Sequence, residues 1–352
     1  MLSNRYSKYF SSFLAAVFLF SFQPINAQAD TAALSLKLNR AKDKLGKNVV
    51  FLLYKDGKTI YKKESGEFNA KTQQPIGASS QWLTAALVMA FVQEGKLSLD
   101  DKVSKYLPVF DKYYKGYVTI RHCLTHYTGI QSDQGVAKFF TKSKSHTLVE
   151  EVNDYASKKD IQTNAGTEFM YSNIGFNIAG RVLEVISKKN FDRLMRDRIL
   201  LPSGMRNTTF TNEDYNEAIS PSTGARSTAN DLINFMAMLL NKGTFNNKQV
   251  LTESSVSMLD TLQVSPDQMK YIPPTLQGLD YGFGEWILEA NAQGKPATVG
   301  VPGLQGTWPM LDLCRRYACV LITKESAGEQ KRNFYMDLKG TIDDGVPAGS
   351  CN

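Results

Sequence analysis

Ile76-Gly77-Ala78-Ser79-Ser80-Gln81-Trp82-Leu83-Thr84-Ala85-Ala86-Leu87 opens a stretch that stays largely apolar to Glu94 and stops at Gly95. An apolar run of that length ending on glycine predicts a buried helix over 79–94 with a left-handed cap. Upstream, Val49-Val50-Phe51-Leu52-Leu53-Tyr54 reads as a strand. Asp56-Gly57 is a two-residue hairpin signal, and Thr59-Ile60-Tyr61 is the returning strand. Before them, Leu34, Leu38, Ala41 and Leu45 have helical spacing. Downstream, helices fit 173–187, 228–242 and 253–262. Strands then fit 281–288, 297–301, 304–313 and 317–323, with a last helix over 328–340. Strands at both ends around a helical block predict an α+β fold. One antiparallel sheet is flanked by N- and C-terminal helices, and a helical lobe is inserted. The boundaries are an α/β lobe of about 30–77 and 270–352 and a helical lobe of about 78–269. A ligand cleft is expected between the lobes.

The chain has 352 residues, 42% hydrophobic and 21% charged, which excludes a disordered or collagen-like chain. Its first 27 residues run from Arg5 and Lys8 through an apolar stretch, Phe10 to Phe22, to Pro24 and Ala27. That order predicts a secretory signal peptide, leaving 28–352 as an exported protein, periplasmic or extracellular. No later segment is long and apolar enough for a transmembrane helix in the mature chain. The net charge of +7 falls to +5 once Arg5 and Lys8 are removed. No basic block carries interleaved aromatics, so nucleic acid is excluded as a partner. Four cysteines, Cys123, Cys314, Cys319 and Cys351, allow three full pairings in an oxidising compartment. Cys314 and Cys319 flank a hairpin loop and can face each other, a geometrically demanding cross-strand pair. The spacing of Cys and His suits no metal, and no cofactor motif is present.

Several motifs carry a resemblance. The segment from Ile76 to Leu87 is followed by Glu94-Gly95-Lys96-Leu97-Ser98-Leu99-Asp100-Asp101. Next come Val118-Thr119-Ile120-Arg121-His122-Cys123-Leu124-Thr125-His126-Tyr127-Thr128-Gly129-Ile130 and Ala165-Gly166-Thr167-Glu168-Phe169-Met170-Tyr171-Ser172-Asn173-Ile174-Gly175. Gly224-Ala225-Arg226-Ser227-Thr228 and Asn230-Asp231-Leu232 complete the set. In this order they resemble the serine beta-lactamase and penicillin-binding-protein family, in its class C beta-lactamase, D-alanyl-D-alanine peptidase and esterase branch. The likeness spans nearly all of the mature chain.

The resemblance implies a serine at the start of the long helix with a lysine three residues on. Positions i and i+3 share a helix face, so the amine can take the proton of the hydroxyl. The register places Ala78 at the nucleophile and Gln81 at the lysine. A methyl group cannot attack, and a neutral amide is no base. Ser79 and Ser80 are the fallback nucleophiles, but neither has a lysine at i+3. The Tyr-x-Asn motif is intact. Tyr171 can serve as general acid or base, and Asn173 can donate to an amide carbonyl. The bland alternative has Tyr171 packing and Asn173 capping the next helix. His126 is read as bonding within its own turn. The resemblance also implies a basic residue or histidine, then Thr or Ser, then Gly, on the strand edging the ligand cleft; this maps onto Val301-Pro302-Gly303-Leu304, where Leu304 N–H remains as an oxyanion donor. Trp286 and Trp308 are placed near the cleft as lining residues.

These substitutions predict a catalytically degenerate homologue that binds a cell-wall peptide or a small acyl compound. The alternative is an active esterase or amidase using Ser79 or Ser80 with Tyr171.

Overall fold

The computed structural model describes residues 30–132, 145–211, 218–303, 306–324, 329–347 and 349. The signal-peptide expectation and Leu304 both lie outside the described residues.

The Val49 hairpin forms as its turn chemistry dictates. Strand β1 (Val49–Lys55) returns as β2 (Lys58–Ser65), and Asp56 and Gly57 between them both have positive φ, 49° and 82°. That is the conformation a tight two-residue hairpin demands. The C-terminal strands are β3 (Asp280–Tyr281), β4 (Trp286–Ala290), β5 (Pro296–Gly300), β6 (Thr307–Asp312) and β7 (Tyr317–Thr323). All seven join one sheet in the order β2-β1-β7-β6-β5-β4-β3, with antiparallel neighbours. The central contact pairs the two ends of the chain, Val49 opposite Thr323 through Lys55 opposite Tyr317.

The expected single strand over 281–288 is two strands. A turn at Gly282–Glu285 separates them, with Gly284 at φ +83° and Gly282 N–H donating to Glu285 O at 3.0 Å. Two glycines in an otherwise apolar run mark such a break.

Strand alternation divides the core. Val50, Leu52, Val299, Leu311, Val320 and Ile322 pack with α2 (Ser79–Val92) and α5 (Ala229–Leu240). Val49, Phe51, Leu53, Met310 and Leu321 pack with the terminal helices α1 (Thr31–Arg40) and α7 (Glu329–Gly345). Helix α2 is buried around its whole circumference, Ser79 through Phe91, as its largely apolar sequence requires. The helical block also contains α3 (Ile120–Leu124), α4 (Ile174–Ser187) and α6 (Glu253–Leu259).

Cys314 is disulfide-bonded, whereas Cys123 and Cys319 are free buried thiols. The Cys314–Cys319 pairing therefore does not form. In the β6–β7 ladder Cys319 stands opposite Met310, and Cys314 lies past its last pair, Asp312 with Tyr317. Among the described residues no helix is long and apolar enough to cross a membrane.

Candidate active site

The start of α2 is held from below by backbone. Gln74–Pro75 pairs with Arg226–Ser227, Ile76 N–H donates to Ala225 O at 3.0 Å, and Ala225 N–H donates to Ser80 Oγ at 3.0 Å. Ser80 is thus a structural acceptor, completely buried, rather than a hydroxyl facing a base. Ser79 is 1% exposed and its Oγ has no hydrogen-bond partner. Ala78 occupies the N-cap position with no side-chain capping bond and remains half-buried.

One turn on, Gln81 is 1% exposed and lies within a group of aromatic side chains. Ser172 N–H donates to His126 Nδ1 at 3.3 Å, so the ring proton sits on Nε2. Nε2–H then donates to Tyr281 Oη at 2.9 Å, and the Tyr281 hydroxyl points to Gln81 Oε1 at 3.5 Å. Burial holds the His126 pKa down to about 3, so the ring stays neutral. The chain of donors ends on an amide that cannot take up a proton. Tyr171 bonds to the same amide and to Trp286, and burial pushes its phenol well above the ordinary tyrosine range. Without an ammonium beside it, Tyr171 remains a neutral phenol at physiological pH. Ring centroids are 4.5 Å apart for His126 and Tyr171, 4.9 Å for Tyr281 and Trp286, and 5.4 Å for Tyr171 and Trp286.

Gln81 Nε2 has no acceptor. The residue one turn back on the same face, which would place a hydroxyl toward it, is the Ala78 methyl. Replacing Tyr281 by Phe should leave His126 Nε2–H without its acceptor and remove a donor from Gln81 Oε1. Urea unfolding should then report a loss of about 1–3 kcal/mol.

The other candidate residues fall into three places. Asn173 is half-buried at the N-cap position of α4 but makes no side-chain capping bond. Val301 is buried, with N–H donating to Pro309 O at 3.1 Å. Gly303 lies so close to β6 that a Cβ there would stand 1.8 Å from Thr307 O, so only glycine fits. Trp308 is not with Gln81. It packs under α7, edge-on to Tyr335 at 4.1 Å, because its register on β6 points it to the terminal-helix face. His126 reaches far beyond its own turn. The sequence pattern did not single out Tyr281 and Glu285, although the glycines at 282 and 284 between them signalled a bend.

Glu289, Asp312 and Asp343 are close enough together to hold a cation, but a side chain already fills that position. Lys339, 1% exposed, places Nζ 2.7 Å from Glu289 and 3.2 Å from Asp312, and also pairs with Asp343.

The Beta-lactamase family profile matches residues 39–339. "Protein flp" of Staphylococcus aureus strain MW2 is 26% identical over 175 residues, which are 47% of this chain and 35% of that protein. The match thus spans about a third of the length of that relative. Among solved structures, a candidate beta-lactamase from Bacteroides dorei DSM 17855 superposes with a TM-score of 0.78 at 26% identity, covering 90% of this chain and 98% of that one. The octameric penicillin-binding protein homologue from Pyrococcus abyssi superposes with a TM-score of 0.73 at 21% identity, covering 90% and 79%. At that identity the last likeness shows the fold alone. With a family match that runs from the first helix into the last, this chain belongs to the beta-lactamase family.

Proposed function

We propose that the chain is an exported, non-acylating member of this family. It binds a cell-wall peptide or a small acyl compound at the Ala78–Gln81 site and does not turn it over. The observation that carries this reading is the position of Gln81. The amide stands where a base would have to be, accepts from Tyr281, and leaves the hydroxyls of Tyr171 and Tyr281 with no group to receive a proton. Ala78 and Asn173 keep partial exposure and form the accessible part of the candidate set.

The competing reading is an active esterase or amidase that uses Ser79 or Ser80 with Tyr171. Ser80 Oγ is committed to Ala225 N–H, and Ser79 Oγ has no partner that could act as a base. A test mixes the purified mature protein with an acyl-D-alanyl-D-alanine peptide and with 4-nitrophenyl acetate. The expected result is a ligand-dependent rise in melting temperature with at least one of them, and no product release above buffer. Product release abolished by Ser79→Ala or Ser80→Ala would establish the competing reading.

A further inference from the structure

Glu285 lies in the turn between β3 and β4 and is completely buried. Neither of its carboxyl oxygens, nor Oδ1 of Asp260 at the end of α6, has a hydrogen-bond donor. Yet the two carboxyl groups face each other within hydrogen-bonding reach. Ionised carboxylates only accept, so such a contact is attractive only when a proton lies between them. The backbone draws the same two segments together, with Phe283 N–H donating to Leu259 O at 3.3 Å.

The turn that carries Glu285 abuts the candidate site. A Cβ on Gly284 would stand 2.6 Å from the Gln81 carbonyl oxygen and 3.1 Å from Ala85 Cβ. Tyr281 and Trp286, the residues flanking the turn, are walls of the aromatic cluster. Gln81, Tyr171, Tyr281 and Trp286 are each 5% exposed or less, so movement of this turn is a direct way to admit a ligand.

We propose that Asp260 and Glu285 share a proton that latches the 282–285 turn onto the end of α6, and that losing this proton releases the turn from its place against α2 and opens the Gln81–Tyr171–Tyr281 cluster. The step transfers one proton from the pair to solvent and leaves two carboxylates in contact. The latch rests on the reading of that cluster as a ligand site only for its purpose, not for its chemistry.

Burial raises Asp260 to about 7, against the hydrogen bond with Glu285, while burial and the charge of Asp260 raise Glu285 well above the carboxylate range. They titrate as a pair. The neighbouring charged and titratable groups are engaged elsewhere or shifted by burial. His126, against Tyr281, is held at about 3, and burial raises Tyr281 itself well above 10. Arg121, whose guanidinium lies 5.9 Å from the Phe283 ring centroid, is bonded to Asp100 at 2.8 Å. His122 beside Arg121 is lowered by burial. The sign follows from the raised values. The folded state holds protons that the unfolded chain gives up, so this contribution is full in acid and is lost as pH rises through the folded-state values.

The test is amide hydrogen exchange of the wild-type protein without ligand, between pH 6 and pH 9, corrected for intrinsic rates. Protection in the peptide spanning 281–288 should fall about tenfold or more over that range, while the peptide spanning Val49–Lys55 keeps its protection. Glu285→Gln and Asp260→Asn each place an amide donor against the remaining carboxyl, and each should hold protection within about threefold. Either variant alone suffices if the other does not fold. Constant protection in the wild type would overturn the latch, as would the same fall in a folded variant. Neither result touches the binding reading, which is tested with ligands.

Discussion

Ala78→Ser combined with Gln81→Lys should give a chain that is labelled by fluorescent penicillin or fluorophosphonate, where the proposed non-acylating wild type is expected to stay unlabelled. The helix start is already built, and positions 78 and 81 share a face of α2. Gln81 Nε2 has no acceptor, so an amine placed at 81 has no competing acceptor there to keep it from a serine hydroxyl introduced one turn back. Full burial beside neutral phenols lowers the pKa of a lysine at 81 and leaves much of it as free amine, the form that takes a proton from serine. Nucleophile and base act as a unit whose loss costs about 10⁶ in rate, or about 8 kcal/mol of barrier. The single variant Ala78→Ser should therefore label at least about 100-fold more slowly than the double variant, the usual worth of a general base. A folded double variant that stays unlabelled would mean that the register assigned to 78 and 81, or the route to them, is wrong.

Lys339→Met should be strongly destabilising. Its ammonium is 1% exposed and bonded to Glu289, Asp312 and Asp343, while Arg315 adds a second cation 3.4 Å from Asp312. Taking the lysine away leaves the Asp312 carboxylate, itself 1% exposed, in the sheet core with too little positive charge. Removing one partner of a buried ion pair costs about 3–5 kcal/mol. The exposed pair Lys37–Asp337, at 2.7 Å with side chains 27% and 63% exposed, is the internal control. Lys37→Met should cost less than about 1 kcal/mol. Urea unfolding followed by circular dichroism should show a large fall in midpoint for the first and almost none for the second, both with unchanged slope.

The sheet was legible because its signals are local. Asp56-Gly57 dictates a hairpin, Gly95 follows the end of α2 with a positive φ of 67°, and Thr228 caps α5 by accepting from Asp231 N–H. Alternation in Val49–Leu53 and Tyr317–Thr323 assigns each side chain to one of two cores. The site was legible in part for a different reason. Ala78 and Gln81 are identified by what they lack, and chemical type alone reveals that. The arrangement around them depends on contacts across long stretches of chain, such as His126 with Tyr281 and Tyr281 with Gln81. A pattern of apolar positions carries no record of which buried hydroxyl meets which ring. Trp308 illustrates the limit. Strand assignment placed it within the right ladder, but the face it takes follows from register, which moves every side chain across the sheet when shifted by one. Asp260 and Glu285 are 25 positions apart and match no motif. Their pairing exists only once α6 ends beside the β3–β4 turn.

The most direct measurement on the central claim is the intact mass of the wild-type mature protein after incubation with a fluorophosphonate and, separately, with a penicillin. The absence of a hydroxyl at 78 and of an amine at 81 predicts an unchanged mass with both reagents. A stoichiometric gain that maps to the peptide holding Ser79 and Ser80 would contradict it.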